Sequence, residues 1–523
     1  MPQGGLIVLT TRWFDGVRLR EYNYYQKERN MHFSIQFLIL FAYFIIVLIV
    51  GLLAQKLAKS GTDYLIAGRN LGLWLCTVVV VGEWLGGMST IGVSERAFAT
   101  GISSAWYNIS TSIGMFLFGL LLAKYYRKHH VYTVSEMIEK LYDKDTRIIS
   151  AFAFLVAYIV LGYVQVQTVG SVMASTLNIP FERGVIIGGL LVAIYVTAGG
   201  FWSITLTNVI HTFLLYFSII STFIIGLIKI GGYSGLFNTL QEVGKDITIY
   251  KSPFGVGVNT VLSWIVGGIF GAFAAQASIQ PVFAAKDEKT AKNASLLSAL
   301  LIFPTGIMTA TLGMIAATGK FGSVENAKQA LPSLLMSKSF VPAWFGGLAL
   351  AGILAAILST VAPVMFAIST ILVKDVYHYL INKNADEKKL LEVSRRFTFV
   401  VGLLLIPLAI YLRGFVLDTA YISYAIRAAA AVIVLLGVYW RVKGRVVPSK
   451  FAASLAMLLA TIVAVTFPII QYFNKNFKFD KVFGALGIAT AVVLILTIFE
   501  RVYLKRIILD ILKEVKDETL RRN

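Results

Sequence analysis

The second long apolar segment, residues 71–95, contains the groups that most directly suggest chemistry. It carries Glu83 at its centre and is interrupted by four glycines, Gly82, Gly86, Gly87 and Gly92. Such a helix is expected to break, and the freed carbonyls are tolerated in a bilayer only where they line a cavity or bind a cation. Close helix packing at the glycines is the alternative interpretation.

A pair of adjacent hydroxyl residues, Ser359 and Thr360, lies in a later apolar segment that reads AGILAAILSTVAPVMFAIST. Hydroxyls in such helices commonly bond back to their own helix carbonyls. An adjacent pair is also placed to coordinate a small hard cation together with free carbonyls. The spacing alone favours neither interpretation.

The amino-acid composition indicates which class of protein contains the carboxyl, glycine and hydroxyl residues described above. The 523 residues are 57% hydrophobic and 14% charged, with a mean hydropathy of +0.76. This excludes a water-soluble globular domain and predicts a multi-span helical membrane protein, without nucleic-acid partners and embedded in a lipid bilayer. One cysteine and five histidines without metal-ligand spacing give no indication of metal or redox chemistry.

Taking a span as about 20 apolar residues, the sequence predicts an all-α integral membrane protein with about thirteen transmembrane helices. The predicted spans are residues 33–55, 71–95, 103–126, 147–175, 182–200, 203–230, 258–282, 294–318, 343–376, 394–412, 414–440, 449–472 and 481–506.

The basic residues predict the orientation in the cell (plasma) membrane. One alternate set of loops, together with the C-terminal tail, contains most of the lysines and arginines. Because cytoplasmic loops carry this excess, we expect the N-terminus outside and the C-terminus in the cytoplasm. Residues 1–30 are basic and lack an apolar span, so we expect either that translation starts at Met31 or that this stretch is a genuine extension.

The seventh span repeats the pattern of the second, with interruptions at Gly267, Gly268 and Gly271. Paired broken helices that begin two five-helix halves are typical of inverted-repeat transporters with a site at the midplane. The predicted organisation is an N-terminal extension (1–32), a first helix (33–56), two five-helix repeats (71–230 and 258–440), two C-terminal helices (449–506) and a cytoplasmic tail (507–523).

Five motifs, in this order and spacing, resemble the sodium:solute symporter family over roughly residues 33 to 445. They are TDYLIAGRNLG after the first span, the glycine-broken second span, YVTAGGFWS at 195–203, AAKDEKTAKN at 284–293, and AAILST ending at Thr360 with KDVY following. The resemblance implies the inverted five-helix repeat of the leucine-transporter type, with broken second and seventh helices.

The resemblance also implies a sodium site between the second and ninth spans. Its ligands would be the backbone carbonyls of Gly82, Leu85 and Ala356 and the hydroxyls of Ser359 and Thr360. Sodium would be the coupling ion, with no organic cofactor.

Two departures from the family pattern bear on coupling. Many members have Thr-Asp where this chain has Thr207-Asn208, and a further serine where it has Ala362-Pro363. We therefore expect one sodium per solute, with Glu83 and Asn208 as possible coupling residues. Proton coupling through Glu83 stays open.

The resemblance places the solute between the broken helices and the third span. The implied residues are Trp84, Ser89, Tyr107, Asn108 and Thr111, with Gly268, Gly271 and Gln276 opposite. So few polar groups favour a small solute over a sugar. An amine could use the aromatic residues with Glu83 as counter-ion, and a carboxylate could use freed backbone N–H groups. Alternatively, Glu83 pairs with Arg427 and has a structural role.

The sequence therefore predicts a sodium-coupled symporter of a small organic solute, such as proline, a monocarboxylate or an amine, working by alternating access. The alternatives are a proton-coupled symporter or uniporter of the same fold, or a transporter-like sensor. We expect no enzyme, since the spans show no nucleophile with a base and no metal cluster.

Overall fold

The computed structural model describes residues 35–500, except 178, 325, 413–415, 442–448 and 475. Within these residues the chain is helical, and the one β-type contact is an isolated bridge between Leu71 and Ala285. The predicted N-terminal extension (1–32) and cytoplasmic tail (507–523) lie outside the described residues.

The helices up to residue 251 are α1 (Ile35–Leu53), α2 (Gly61–Ile66), α3 (Leu73–Trp84), α4 (Val93–Thr100), α5 (Trp106–Leu121), α6 (Ala123–Lys128), α7 (Val134–Leu141), α8 (Lys144–Leu177), α9 (Phe181–Gly199), α10 (Phe201–Ile230), α11 (Gly232–Glu242) and α12 (Ile247–Lys251). Those that follow are α13 (Val258–Phe273), α14 (Gln276–Ala284), α15 (Glu288–Ala317), α16 (Ala330–Met336), α17 (Ala343–Ile371), α18 (Glu387–Tyr411), α19 (Val416–Arg441), α20 (Lys450–Phe473) and α21 (Lys481–Phe499). Short 3₁₀ segments are Ala54–Leu57, Ala67–Arg69, Gly101–Ala105 and Ala327–Gln329, and π-helical segments are Met88–Gly92 and Leu372–Ile381.

The described residues contain eleven helices that are long and apolar enough to cross a membrane, or up to twelve with one bent pair. The predicted number of about thirteen is therefore slightly too high. The sequence pattern predicts separate spans at 71–95 and 103–126, but these residues form the bent pair. Its two parts, Leu73–Trp84 and Met88–Leu121, are bent by 55° relative to each other, and together they are long and apolar enough to form one span.

The predicted break in the second span is present. α3 ends at Trp84, and Leu85 leaves helical geometry with φ −92° and ψ 47°. The chain then resumes through the π-helical turn Met88–Gly92. A Cβ added at Gly86 would lie 2.1 Å from Oγ1 of Thr360, so glycine is required here for the end of α3 to approach α17.

The seventh span is also broken, but not at the predicted glycines. The break falls at Ala274 and Ala275, between α13 and α14, where the backbone leaves helical geometry. Gly267, Gly268 and Gly271 lie inside α13, so their assignment as the break is wrong. A Cβ added at Gly268 would lie 2.9 Å from Cβ of Ser110, which shows that this glycine allows α13 to pack closely against α5.

The motifs that carry the family resemblance contact one another in space. The backbone N–H of Leu71 donates to the Ala284 carbonyl at 3.0 Å, and the N–H of Lys286 donates to the Leu71 carbonyl at 2.9 Å. These bonds join the segment after α2 to the segment after α14. Asp287 then caps α15 by accepting from the Thr290 N–H at 2.6 Å, and this backbone hydrogen bond lowers the pKa of the Asp287 carboxyl.

The centre of the described structure is the helical run Ala343–Ile381, which contains α17. Of its most apolar stretch, 94% is buried within the protein. α10 packs along it, and the Ser218 hydroxyl donates to the Ala349 carbonyl at 2.7 Å. Gly352 allows this contact, because a Cβ there would lie 2.4 Å from Cβ of Ser218 and 2.5 Å from the Leu214 carbonyl oxygen.

We expect Gly352→Ala to lower the melting temperature of the detergent-purified protein. The added methyl group would push α10 away from α17, and overpacking of this kind typically costs about 1–3 kcal/mol. Gly487→Ala is the matched control, since a Cβ at Gly487 meets no atom within 4 Å and alanine favours a helix. Equal losses of thermal stability in the two variants would contradict the close contact at Gly352.

Candidate ion and solute site

The broken end of α3 leaves backbone carbonyls that need partners inside the protein. The last four carbonyls of a helix have no N–H donor within the helix. In α3 these carbonyls belong to Val81, Gly82, Glu83 and Trp84. The Leu85 N–H donates to Val81 at 2.9 Å, and the Ser89 hydroxyl donates to Trp84. The other two carbonyls, of Gly82 and Glu83, point to hydroxyl groups on α17.

Those hydroxyls complete a group of five oxygens, which we call the oxygen cluster. It consists of the carbonyl oxygens of Gly82, Glu83 and Ala356 and the hydroxyl oxygens of Ser359 and Thr360. The Ser359 hydroxyl lies 2.8 Å from the Gly82 oxygen and 2.7 Å from the Ala356 oxygen. The Thr360 hydroxyl lies 3.0 Å from the Gly82 oxygen and 2.9 Å from the Glu83 oxygen.

The oxygen cluster contains more acceptors than protons. Each hydroxyl has one proton to donate, yet each faces carbonyl oxygens on both its own helix and α3. Ser359 and Thr360 are buried, at 0% and 3% exposure. Surplus oxygen lone pairs at a buried point create a negative electrostatic potential there, which suits a small hard cation.

Four of the five residues implied as sodium ligands meet at the oxygen cluster, namely Gly82, Ala356, Ser359 and Thr360. The Leu85 carbonyl accepts from neither hydroxyl, and the Glu83 carbonyl takes that place. The helix ends one residue before Leu85, so the last carbonyls directed along α3 precede it. Glu83 was singled out in the sequence for its side chain, whereas its backbone is what joins the cluster.

Asn208 lies on α10 beside the oxygen cluster. A Cβ added at Gly82 would lie 3.0 Å from Nδ2 of Asn208, so the amide is against the end of α3. The Asn208 side chain is buried, and neither of its amide atoms has a hydrogen-bond partner among the described residues. Its side chain bonds to none of the five cluster oxygens, and its coupling role stays a prediction.

A small buried cavity of about 10 Å³ adjoins the oxygen cluster and shares Thr360 with it. We call it the central cavity. Its lining residues are Glu83, Trp84, Gly86, Met88, Ser89, Tyr107, Leu161, Gln165, Thr360, Tyr424 and Arg427. It lies where the broken end of α3 meets α5, α8, α17 and α19.

Three of the residues implied for the solute line the central cavity: Trp84, Ser89 and Tyr107. The Tyr107 hydroxyl lies 2.7 Å from the Tyr424 hydroxyl, which ties α5 to α19 across the cavity. The Trp84 indole Nε1 has no hydrogen-bond partner among the described residues.

The other five implied residues do not line this cavity. Asn108 donates to the Thr305 hydroxyl at 3.0 Å and so joins α5 to α15, whereas the Thr111 hydroxyl donates to the Asn108 carbonyl at 2.9 Å within α5. Gly268 packs against Ser110, and Gly271 packs against the Tyr424 ring.

Gln276 departs most clearly from its implied role as a solute-binding residue. Its side-chain oxygen accepts from the Val134 N–H at 2.7 Å, and its Nε2 donates to the Tyr132 carbonyl at 3.1 Å. These bonds anchor the start of α14 to the segment that begins α7. Both ends of the Gln276 amide are therefore occupied away from the cavity.

Arg427 and Tyr424 were not among the implied solute residues, although both line the cavity. The Arg427 guanidinium lies 4.1 Å from the centroid of the Tyr424 ring and 5.7 Å from that of Trp84. Arg427 is 1% exposed. A single basic residue inside an apolar span was the signal for it in the sequence, where it was considered only as a partner for Glu83.

The pairing of Glu83 with Arg427, considered as an alternative from the sequence, is not formed as an ion pair in the described structure. The Glu83 carboxylate accepts a hydrogen bond from the Ser278 hydroxyl on α14. Among the described residues, no ion pair within 4.0 Å joins Glu83 to Arg427. The two charges therefore face the same cavity separately.

Comparison with known proteins agrees with this architecture. The chain is 25% identical to the sodium/proline symporter of Escherichia coli, over 78% of this chain and 84% of that protein. It is 24% identical to the osmoregulated proline transporter OpuE of Bacillus subtilis, over 76% and 82% respectively. It is also 25% identical to the sodium/glucose cotransporter of Vibrio parahaemolyticus, over 79% and 82%.

A solved structure of a Na⁺-coupled sialic acid symporter, in a substrate-bound outward-open state, superposes with a TM-score of 0.74. It is 20% identical and covers 91% of this chain and 99% of that chain. The predicted leucine-transporter-type fold is thereby confirmed. A sequence model of the sodium:solute symporter family matches residues 64–445. The chain therefore belongs to the sodium:solute symporter family.

Proposed function

We propose that this chain carries a small organic solute across the plasma membrane by alternating access, with one sodium ion bound at the oxygen cluster and the solute in the central cavity. Sodium-coupled solute symport is the function of its family. The observation that carries the assignment of the ion site is the oxygen cluster itself, in which carbonyls of a broken helix converge with two hydroxyls from α17.

The chemistry of the oxygen cluster favours sodium over protons as the ion bound there. Its oxygens come from backbone carbonyls and from the hydroxyls of Ser359 and Thr360, none of which titrates in the physiological range. Hard cations prefer oxygen ligands of this type. The ionisable side chain closest in sequence, Glu83, directs its carboxylate to Ser278 on α14 instead.

The position of the oxygen cluster provides a route for coupling. A sodium ion there would join α3 to α17, and Thr360 would belong to both the ion site and the cavity. Binding that orders the end of α3 also orders Trp84 and Ser89, which line the cavity. The ion and the solute would then each tighten the binding of the other through a reciprocal coupling energy.

We expect NaCl, compared with KCl at equal ionic strength, to raise the melting temperature of the purified protein, because an ion that binds only the folded state stabilises it. Ser359→Ala combined with Thr360→Ala removes both hydroxyl ligands. The sodium concentration that gives half of the stabilisation should then rise at least about tenfold, which corresponds to about 1.4 kcal/mol of binding free energy.

Ser295→Ala is the matched control for that double variant. Ser295 is a buried serine in a span, and its hydroxyl donates to the Ala291 carbonyl of its own helix at 2.9 Å. Its sodium midpoint should equal that of the unmodified protein. An unshifted midpoint in the double variant would place the sodium ion elsewhere.

Proton coupling through Glu83 predicts a different result. If sodium alone binds at the oxygen cluster, the sodium midpoint should be the same at mildly acidic and mildly alkaline pH, in both the unmodified protein and Glu83→Gln. Glutamine can still accept from Ser278, so the variant keeps the contact to α14. A midpoint that rises with acidity in the unmodified protein, but not in Glu83→Gln, would show that protons compete with sodium through Glu83.

A further inference from the structure

Arg427 is a buried cation with bonding capacity left over. It is 1% exposed, and its Nε and Nη2 atoms have no hydrogen-bond partner among the described residues. An unpaired charge that is removed from water is strongly unfavourable. The arginine nevertheless lines the central cavity, so whatever fills that cavity can bind it.

The two unpartnered nitrogens define the shape of the missing group. Nε and Nη2 form one edge of the planar guanidinium, and this edge matches the two oxygens of a carboxylate in a bidentate pair. Trp84 Nε1, another cavity donor, also lacks a partner in the described structure. Three N–H-bearing atoms of the cavity wall therefore lack acceptors.

The aromatic residues of the cavity do not form a free site for an amine. The guanidinium of Arg427 already lies 4.1 Å from the Tyr424 ring centroid and 5.7 Å from that of Trp84. A second cation brought to these rings would be repelled by the first at short range. This argues against the amine considered from the sequence.

The remaining charge on the cavity does not neutralise Arg427 directly. Glu83 is the only carboxylate among the lining residues, and its side chain accepts from Ser278 on α14 rather than from the guanidinium. The other ionisable groups there, Tyr107 and Tyr424, share a hydrogen bond with each other. An anionic ligand would thus meet a guanidinium whose side-on edge is free.

We propose that Arg427 binds the carboxylate of the transported solute, with Trp84 Nε1 as an additional donor, so that the cavity selects small carboxylates over amines and sugars. This rests on the proposed function, because it takes the central cavity as the solute site. In this conformation the cavity has a volume of about 10 Å³, which is room for a single water molecule. The cavity must therefore widen to admit a solute, and a compact carboxylate requires the least widening.

The test is binding to the purified full-length protein in NaCl, measured as a shift of the melting temperature with concentration. The probes are L-proline and L-lactate, with prolinamide as a neutral-amide counterpart, and choline and glucose as the amine and the sugar. At least one of the two carboxylates should stabilise the protein. Prolinamide, choline and glucose should each require at least about tenfold higher concentration. The proposal would be overturned if neither L-proline nor L-lactate raised the melting temperature. It would also be overturned if prolinamide and L-proline both raised it with the same concentration dependence.

Variants then assign the carboxylate to Arg427. Arg427→Gln should weaken binding of the stabilising carboxylate at least about tenfold, since hydrogen bonds to charged groups are worth about 1.5–3 kcal/mol. Arg427→Lys keeps the charge but loses the planar guanidinium group, so its affinity for the carboxylate should fall between that of the unmodified protein and that of Arg427→Gln. Trp84→Phe keeps an aromatic ring and removes only the N–H, and should give a smaller loss. Unchanged carboxylate affinity in Arg427→Gln would contradict the assignment.

Two controls keep these outcomes separate from misfolding and from the sodium proposal. Arg395→Gln is the matched substitution, because Arg395 also has a buried Nε without a partner in the described structure but contacts a different face, beside Ile49 and Lys56. It should leave carboxylate binding unchanged. Arg427→Gln should retain the stabilisation by sodium alone, which requires a folded oxygen cluster.

The sodium response also distinguishes the two proposals. If sodium stabilises the protein but choline or glucose is the ligand, the Arg427 proposal fails and the ion site stands. If L-proline or L-lactate binds through Arg427 with equal affinity in NaCl and KCl, the carboxylate assignment stands and the sodium coupling fails.

Discussion

The rest of the site depends on one constraint, which is that backbone carbonyls freed inside a membrane must find partners within the protein. α3 stops at Trp84 and so leaves the Gly82 and Glu83 carbonyls without helical donors. They meet hydroxyls of the most buried helical run in the described structure. The contact needs glycine at position 86, where a Cβ would collide with Thr360. The break in α3, the glycine at position 86 and the hydroxyl pair on α17 therefore depend on one another.

The same break places the proposed ion site and the proposed solute site side by side. The carbonyls before the break enter the oxygen cluster, while Trp84 and the residues just after the break, Met88 and Ser89, face the central cavity. A change in the end of α3 therefore alters both sites at once. The proposed coupling would need no long pathway through the protein, because Thr360 belongs to both the oxygen cluster and the central cavity.

The sequence predicted the fold well because its signals are local or periodic. Apolar spans can be counted, and adjacent hydroxyls in an apolar helix are visible in the chain. The sequence-based predictions were wrong where the role of a residue depends on which residue of another helix packs against it. Gly268 resembled a helix breaker, but it packs α13 against Ser110, and the break falls at two alanines. Gln276 resembled a polar cavity group, but its amide joins two backbone groups elsewhere.

Arg427 illustrates the same limit for charged groups. A lone carboxylate and a lone arginine in separate spans suggest mutual neutralisation, since buried charges are usually paired. The structure instead gives Glu83 a hydroxyl donor and Arg427 an aromatic face, and it leaves two guanidinium nitrogens, Nε and Nη2, without a hydrogen-bond partner among the described residues. A protein retains such an unpaired group at a cost in stability. Under the proposed assignment, the solute carboxylate supplies the missing anion. The interaction with Arg427 then contributes to the free energy of solute binding instead of the free energy of folding.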